Sequence, residues 1–214
     1  MCSHYQSVNN PERLKAYFGV APAGDLGKLD MWPGYLGAFV RCHAPGGIAD
    51  GGAEREALRG SFGLVPHWAT DTKIARHTYN ARTETVDVKP SFRDAWKAAR
   101  HCIIPADSFF EPDWRSGKAV ASRISRADGQ PMGIAGLWAQ WSDAQGEVLH
   151  SFTMLTINAD AHPLMRQFHK PSDEKRMVVI LPPERYTDWL NARPEQSRDF
   201  FQQFPAEALV AQQP

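Results

Sequence analysis

Short runs of apolar and β-branched residues recur along this chain, separated by turn residues, and such runs predict β-strands. The chain offers six of them, and Asp128-Gly129 predicts a turn between the third and the fourth. Because most of them follow one another without an intervening helix, they indicate a meander or a barrel. The predicted strands are residues 35–41, 101–105, 118–126, 133–141, 149–157 and 176–181.

Capping residues and helical faces predict a smaller number of helices. Asn10 can cap the first helix and Gly19 can end it, and its apolar face would carry Leu14, Tyr17 and Phe18. Strands without a βαβ alternation predict the α+β class, with a mixed, largely antiparallel, barrel-like sheet and peripheral helices. The further predicted helices are residues 91–99, residues 162–168 and two C-terminal helices that begin at Pro183 and Pro194.

The length of 214 residues suits one domain, with a core over about residues 2–205 and a short C-terminal tail. The composition of residues 45–53 predicts a flexible loop.

The chain has 24 Lys and Arg against 24 Asp and Glu, so any DNA-binding surface must be a local patch. Three cysteines and the lack of a signal-peptide pattern predict a cytoplasmic protein, and the most apolar stretch, residues 177–181, is too short for a membrane span.

Cys2 directly follows the first methionine, which is normally removed when the next side chain is small. Removal would expose an α-amine, whose pKa of about 7.7–8.0 leaves roughly a tenth of it unprotonated at neutral pH. Such an amine can capture an aldehyde as an imine, and the thiol of the same residue can then close a thiazolidine ring. The alternative is a small buried residue at the start of a strand.

Five ordered segments together resemble the SRAP family (SOS response-associated peptidase, or abasic-site processing proteins), and the resemblance spans nearly the whole chain. The segment Asn80-Ala81-Arg82-Thr83-Glu84-Thr85 with Lys89-Pro90-Ser91-Phe92 is the most specific. The others are Met1-Cys2 with Tyr5, Phe62-Gly63-Leu64-Val65-Pro66-His67-Trp68, residues 100–105 leading to Phe109-Phe110-Glu111, and residues 156–169.

The resemblance implies a barrel-like sheet with a groove for single-stranded DNA, and a thiazolidine between Cys2 and the ring-opened sugar of an abasic site. It further implies that Asn80 positions Cys2, that Arg82 binds phosphate, and that Glu111 and His169 transfer protons. Self-processing of the amino terminus is a peptidase activity of that family, and β-elimination of the DNA strand is a lyase reaction that could compete. No cofactor and no metal are expected, and a monomer is expected.

The residues themselves allow these roles and also plainer ones. Glu111 follows two phenylalanines, which could raise its pKa by desolvation, but it could instead be a capping or salt-bridging glutamate. His169 could exchange protons near neutral pH or simply end a helix. Arg82 could pair with Glu84 in a surface turn, and Trp68 could stack on a base or fill the core.

Two departures from the family pattern affect these assignments. The usual Cys-Gly-Arg-Tyr opening is Cys2-Ser3-His4-Tyr5 here, so His4 would make a weaker phosphate contact or act as a second base. The usual His-x-Arg-Met-Pro is stretched between His169 and Arg176, which leaves His162 as the alternative histidine.

Three other functions compete with crosslinking to abasic DNA. An N-terminal-nucleophile hydrolase or thiol peptidase would use Cys2 to attack an amide. A non-catalytic single-stranded DNA-binding protein would keep the groove without the chemistry. A zinc module would need an ordered ligand spacing that its candidates lack, namely Cys2, His4, Cys42, His43, His101 and Cys102.

Overall fold

The computed structural model describes residues 2–22, 24–42 and 55–213, and within these ranges twelve strands belong to one sheet. The strands are β1 (His4–Ser7), β2 (Asp30–Met31), β3 (Leu36–Cys42), β4 (Arg55–Phe62), β5 (Asn80–Arg82), β6 (His101–Asp113), β7 (Val120–Arg126), β8 (Met132–Ser142), β9 (Val148–Asn158), β10 (Arg176–Val178), β11 (Ile180–Leu181) and β12 (Leu209–Gln212).

Five of these strands close into a barrel. β8 pairs with β9, β9 with β4, β4 with β3, β3 with β6, and β6 returns to β8. The β4–β9 and β5–β9 pairs are parallel and the other described pairs are antiparallel. The predicted α+β class with a mixed, largely antiparallel, barrel-like sheet is therefore confirmed.

Three α-helices lie among the described residues: α1 (Pro11–Phe18), α2 (Arg93–Lys97) and α3 (Tyr186–Asn191). The Asn10 side chain accepts a hydrogen bond from a backbone N–H in the first turn of α1, and Gly19 ends that helix with φ 71°, as predicted. Tyr17 is exposed, so its predicted place on the buried face is wrong. None of these helices is long and apolar enough to cross a membrane.

The other helix predictions are corrected by the structure. Phe92, not Ser91, precedes α2, and no side chain caps it. Short 3₁₀ turns replace the predicted helix at 162–168 and the one at Pro194. The described 3₁₀ turns are Thr72–His77, Met165–Gln167, Pro183–Arg185, Ser197–Phe200 and Ala206–Ala208.

The strand predictions hold best where strands are adjacent in sequence. Those for β3, β7, β8 and β9 agree with the structure to within two residues. The predicted strand at 101–105 continues to Asp113 as β6, and the one at 176–181 is interrupted at Val179. Five strands, β1, β2, β4, β5 and β12, were not predicted, and the loop expected at 45–53 lies outside the described residues.

An aromatic cluster fills the barrel and fixes the start of the chain. The Phe62 ring packs against Phe152 with centroids 5.7 Å apart, and Phe39 lies 5.6 Å from Phe152. Tyr5 in β1 meets Phe62 edge-on at 5.1 Å and is fully buried. Burying each such ring contributes about 1.5–3 kcal/mol, so β1, and with it Cys2, is held against the barrel wall.

We predict that Gly63→Ala destabilises the fold by more than about 2 kcal/mol. Gly63 has φ 117°, and an added Cβ would lie 2.0 Å from the carbonyl oxygen of Ala75. Gly146 also has a positive φ, 85°, but open space around it, so Gly146→Ala reports the conformational penalty of about 1–2 kcal/mol alone. Urea unfolding of both variants isolates the steric overlap. Equal losses in the two variants would contradict this packing.

Candidate active site

Four residues predicted to be catalytic meet in one buried cluster beside β1. The Asn80 side-chain amide donates a hydrogen bond to the Cys2 carbonyl oxygen at 2.7 Å. The His169 Nε2 atom lies 3.3 Å from a carboxyl oxygen of Glu111. All four side chains are at least nine-tenths buried, and the Glu111 charge is close enough to raise the pKa of the Cys2 thiol. The structure therefore brings Cys2, Asn80, Glu111 and His169 together.

Different elements deliver these side chains. Asn80 begins β5, which runs parallel to β9, and Glu111 lies near the end of β6. His169 follows a 3₁₀ turn, and its backbone N–H donates to the Pro112 carbonyl oxygen at 2.8 Å. Its φ of 64° lies in the left-handed region, which only a minority of non-glycine residues adopt. A strained backbone at this position aims the imidazole at the carboxyl group.

Burial sets the protonation of the cluster. Desolvation raises the pKa of the Glu111 carboxyl to about 7, and it lowers the pKa of the His169 imidazole to about 4. Near neutral pH the imidazole is therefore neutral, and the carboxyl group is divided between its acid and its carboxylate forms. Desolvation, with the charge of Glu111 adding to it, also holds the pKa of the Cys2 thiol far above its usual range. This thiol is protonated at neutral pH.

Asn80, within the cluster, and Tyr79, next to it, also affect the polarity of the site. The Asn80 Oδ1 atom is buried and has no hydrogen-bond partner among the described residues, so it can accept a proton donor placed next to Cys2. Tyr79 is partly buried, and the pKa of its phenol is raised by burial and further by the ionisable groups of Cys2 and Glu111. Sequence reasoning did not single out Tyr79, although it directly precedes Asn80.

Arg82 lies outside this cluster and is half exposed. Its guanidinium donates to Glu174 at 2.8 Å, not to Glu84 as the plainer sequence interpretation had it. The other Glu174 carboxyl oxygen lies 2.7 Å from Arg176, which is buried and also binds Glu84 at 2.8 Å. A DNA phosphate could therefore reach Arg82 but not Arg176. Glu174 lies in the stretched segment between His169 and Arg176. That departure from the family pattern was the sign of it in the sequence.

The other candidate DNA-binding residues have clear positions. Trp68 is 47 % exposed, which excludes the core alternative and leaves its ring accessible. His4 lies between two aromatic rings, those of Trp32 and Phe110, and its Nε2 atom is 2.9 Å from a carboxyl oxygen of Asp30. Their contacts with DNA stay predictions. Asp30 and Trp32 carried no motif that sequence reasoning could have used.

His162, the alternative histidine, and His101, one of the zinc candidates, make contacts that support the fold. The His162 ring accepts from the backbone N–H of Met165 at 3.0 Å and lies 2.8 Å from the Phe204 carbonyl oxygen. The His101 ring contacts the Ser197 hydroxyl at 2.9 Å. In the described parts of the chain no three His, Cys, Asp or Glu side chains are grouped so that they could hold a metal ion. His43 lies outside those parts.

Comparisons with known proteins identify one family for this chain. A family model described as SOS response associated peptidase (SRAP) matches residues 1–213. The abasic site processing protein YoqW of Bacillus subtilis (strain 168) is 34% identical over 170 residues, which cover 78% of this chain and 72% of that protein. The abasic site processing protein HMCES of Xenopus tropicalis is 27% identical over 161 residues, 65% of this chain and 46% of that protein. A crystal structure of a protein from Bordetella bronchiseptica is 48% identical with a TM-score of 0.89, and the match covers 100% of this chain and 99% of that one.

We predict that Glu111 and His169 give the fold opposite dependences on pH. The Glu111 pKa rises from 4.5 in the unfolded chain to about 7, so its stabilising effect is complete below pH 4.5 and is lost as the pH rises through 7. The His169 pKa falls from 6.5 to about 4, so its contribution is complete above pH 6.5 and is lost as the pH falls through 4. Between pH 4.5 and 6.5 the two effects oppose each other.

Single variants should therefore separate the two slopes. With Glu111→Gln, the free energy of unfolding should rise with pH between 4.5 and 6.5 relative to the wild type, by at most about 1.4 kcal/mol per pH unit. With His169→Asn, the free energy of unfolding should fall with pH over the same range relative to the wild type. Asparagine is chosen because it tolerates the positive φ. Urea titrations at a series of pH values measure both, and the double variant should show neither difference. Profiles parallel to the wild type in both single variants would show that the two groups are not desolvated as described.

Proposed function

This chain belongs to the SOS response-associated peptidase (SRAP) family, and from that premise we propose that it processes abasic sites in damaged DNA. We further propose that it does so by attaching covalently to abasic sites in single-stranded DNA through Cys2. The observation that carries this proposal is the position of Cys2, which can hold both an amine and a thiol. The Asn80 amide binds its carbonyl oxygen, and the buried Glu111, paired with His169, is close enough to raise the pKa of its thiol. Because the substrate is DNA, we place the activity in the cytosol, where the free thiols also belong.

The proposed reaction starts with removal of Met1, which turns the backbone nitrogen of Cys2 into a primary amine. This amine attacks the C1′ aldehyde of the ring-opened deoxyribose and forms a carbinolamine. Loss of one water gives an imine, and addition of the Cys2 sulfur to the imine carbon closes the thiazolidine as the thiol proton moves to the nitrogen. One molecule of water leaves in total, and no oxidant or reductant is needed.

The cluster supplies the proton transfers that this sequence requires. Dehydration of a carbinolamine needs an acid near the leaving hydroxyl, and a carboxyl group with a pKa of about 7 is well matched to donate at neutral pH. The His169 imidazole, with its pKa lowered to about 4, is neutral and can accept the proton that the attacking amine releases. The unpartnered Oδ1 atom of Asn80 can hold an N–H of the new amine, which orients its lone pair toward the aldehyde.

The protonated thiol favours this order of steps over a thiol hydrolase. A thiol hydrolase begins with a thiolate, whereas burial keeps the Cys2 sulfur protonated. An amine-first reaction needs the sulfur only after the imine has formed, and the ring closure is then intramolecular. The neutral form of the thiol is therefore compatible with thiazolidine formation and unfavourable for attack on an amide.

We expect the wild-type protein to gain the mass of the oligonucleotide minus one water when it is incubated with single-stranded DNA treated with uracil-DNA glycosylase. Cys2→Ala should lose the heat-stable adduct, because its amine can form only an imine. Borohydride added during the reaction should trap that imine and restore a covalent product. Cys42→Ala, which removes a thiol outside the cluster, serves as the matched control and should crosslink normally. A heat-stable adduct of Cys2→Ala at the wild-type yield would refute the mechanism.

We also expect Glu174 to weaken the phosphate contact proposed for Arg82, because the two side chains already form an ion pair. A half-exposed pair is worth up to about 1 kcal/mol, so Glu174→Gln should tighten binding of single-stranded DNA roughly two- to fivefold. Arg82→Ala should weaken binding and reduce the salt slope by about 0.7. Fluorescence anisotropy at several salt concentrations measures both.

Asp173→Asn is the control for this experiment, since it removes the same charge from the same segment without touching Arg82. In the Arg82→Ala background Glu174→Gln should have no effect on affinity. A Glu174→Gln gain that persists in that background would show that the carboxylate acts by general repulsion and that Arg82 is not the phosphate contact.

A further inference from the structure

Three aromatic rings form a stack that begins at the active site and ends in solvent. The His4 imidazole lies 4.1 Å from the Phe110 ring and 4.2 Å from the Trp32 ring, with interplanar angles of 7° and 10°. Phe110 is adjacent to Glu111 in β6, and the His4 carbonyl oxygen accepts a hydrogen bond from the Cys2 thiol at 3.3 Å. The stack is therefore joined to the cluster through the backbones of β1 and β6, while the Phe110 and Glu111 side chains point to opposite faces of β6.

The outer end of this stack is open. Trp32 is 44 % exposed, an unusual state for the largest apolar side chain, while the His4 ring covers one of its faces. The remaining face has the size and the flatness of a nucleobase. An accessible indole next to a DNA-processing cluster has the properties of a stacking platform.

The platform is held rigidly. The Tyr35 N–H donates to the Trp32 carbonyl oxygen at 2.9 Å, which closes a turn through Pro33 and Gly34, and Gly34 supplies the φ of 89° that such a turn requires. The Asp30 carboxylate fixes the His4 ring through its contact with Nε2 at 2.9 Å. A ring that is already ordered loses little entropy when a ligand stacks on it.

The charge at this position selects the part of DNA that can bind. Asp30 carries its carboxylate beside His4, and a phosphate placed there would meet a negative charge. A base carries no charge, and the bases that flank an abasic nucleotide in a single strand have lost a stacking neighbour. Resting on the proposed function, we propose that the exposed face of Trp32 binds a base flanking the abasic nucleotide. His4 then acts as the middle ring of the stack.

The test is a double-mutant cycle, in which variants of the protein are combined with changes in the DNA. Noncovalent affinity is measured by anisotropy on an oligonucleotide whose abasic site is a tetrahydrofuran, which has no aldehyde. Trp32→Ala should weaken binding about tenfold, within the range of about 1–3 kcal/mol for base–aromatic stacking, and Trp32→Phe should keep most of the affinity. Tyr17→Ala, which removes another exposed aromatic ring, is the control and should bind like the wild type.

Replacing one flanking nucleotide at a time by tetrahydrofuran then identifies the base. At one flanking position the Trp32→Ala effect should disappear, because the base that stacks on the indole is already missing. Unchanged affinity of Trp32→Ala, or an effect that stays the same with either flanking base removed, would overturn the proposal.

The same variants separate this inference from the proposed function. On true abasic DNA Trp32→Ala should need about tenfold more DNA for half-maximal adduct formation, while Tyr17→Ala should react like the wild type. Absence of any adduct in the wild type would sink the proposed chemistry, while a base-specific Trp32 effect in the same protein would still support the stacking platform.

Discussion

Burial of an acid and a base in the same small volume is the constraint on which the rest of this structure depends. Glu111 and His169 lie 3.3 Å apart, and desolvation penalises the charged form of each. The pair is therefore most stable when both groups are neutral, with the proton on the carboxyl group. This state provides a donor and an acceptor side by side near neutral pH, which neither residue would provide in water.

Such a site is maintained by the fold around it, because burying the Glu111 carboxyl group opposes folding at neutral pH. The 13 residues of β6 connect the barrel wall to Glu111 in one continuous strand. The Pro112 carbonyl oxygen, one residue further along, binds the backbone of His169 and helps to hold its left-handed conformation. The aromatic core anchors β1 through Tyr5, and the Asn80 amide holds the Cys2 carbonyl oxygen. Cys2 is thereby positioned by contacts other than those of the Glu111 and His169 pair.

How much of the structure could be predicted from the sequence depends on whether the stabilising contacts join residues that are close in the chain. Strands β7 to β9 are adjacent in the chain, and their apolar patterns and turn residues were enough to predict them. β4 depends on its pairing with β3 and β9, which a sequence rich in Gly and Pro does not show. The cluster was predicted through motifs that resemble a family, whereas Glu174 and Trp32 matter through partners far away in sequence. Such partners become visible only when the chain is folded.

The distribution of charge bears on how a lesion would be selected. The chain carries as many acidic as basic residues. Arg176 is buried between two carboxylates, and Arg82 forms an ion pair with Glu174. These two arginines are therefore less available to DNA phosphates than unpaired surface arginines would be. In the proposed function, retention comes from a bond that only an aldehyde can form, assisted by a neutral stacking surface. Under that proposal, discrimination between damaged and intact strands rests on chemistry at Cys2 and not on affinity for the phosphate backbone.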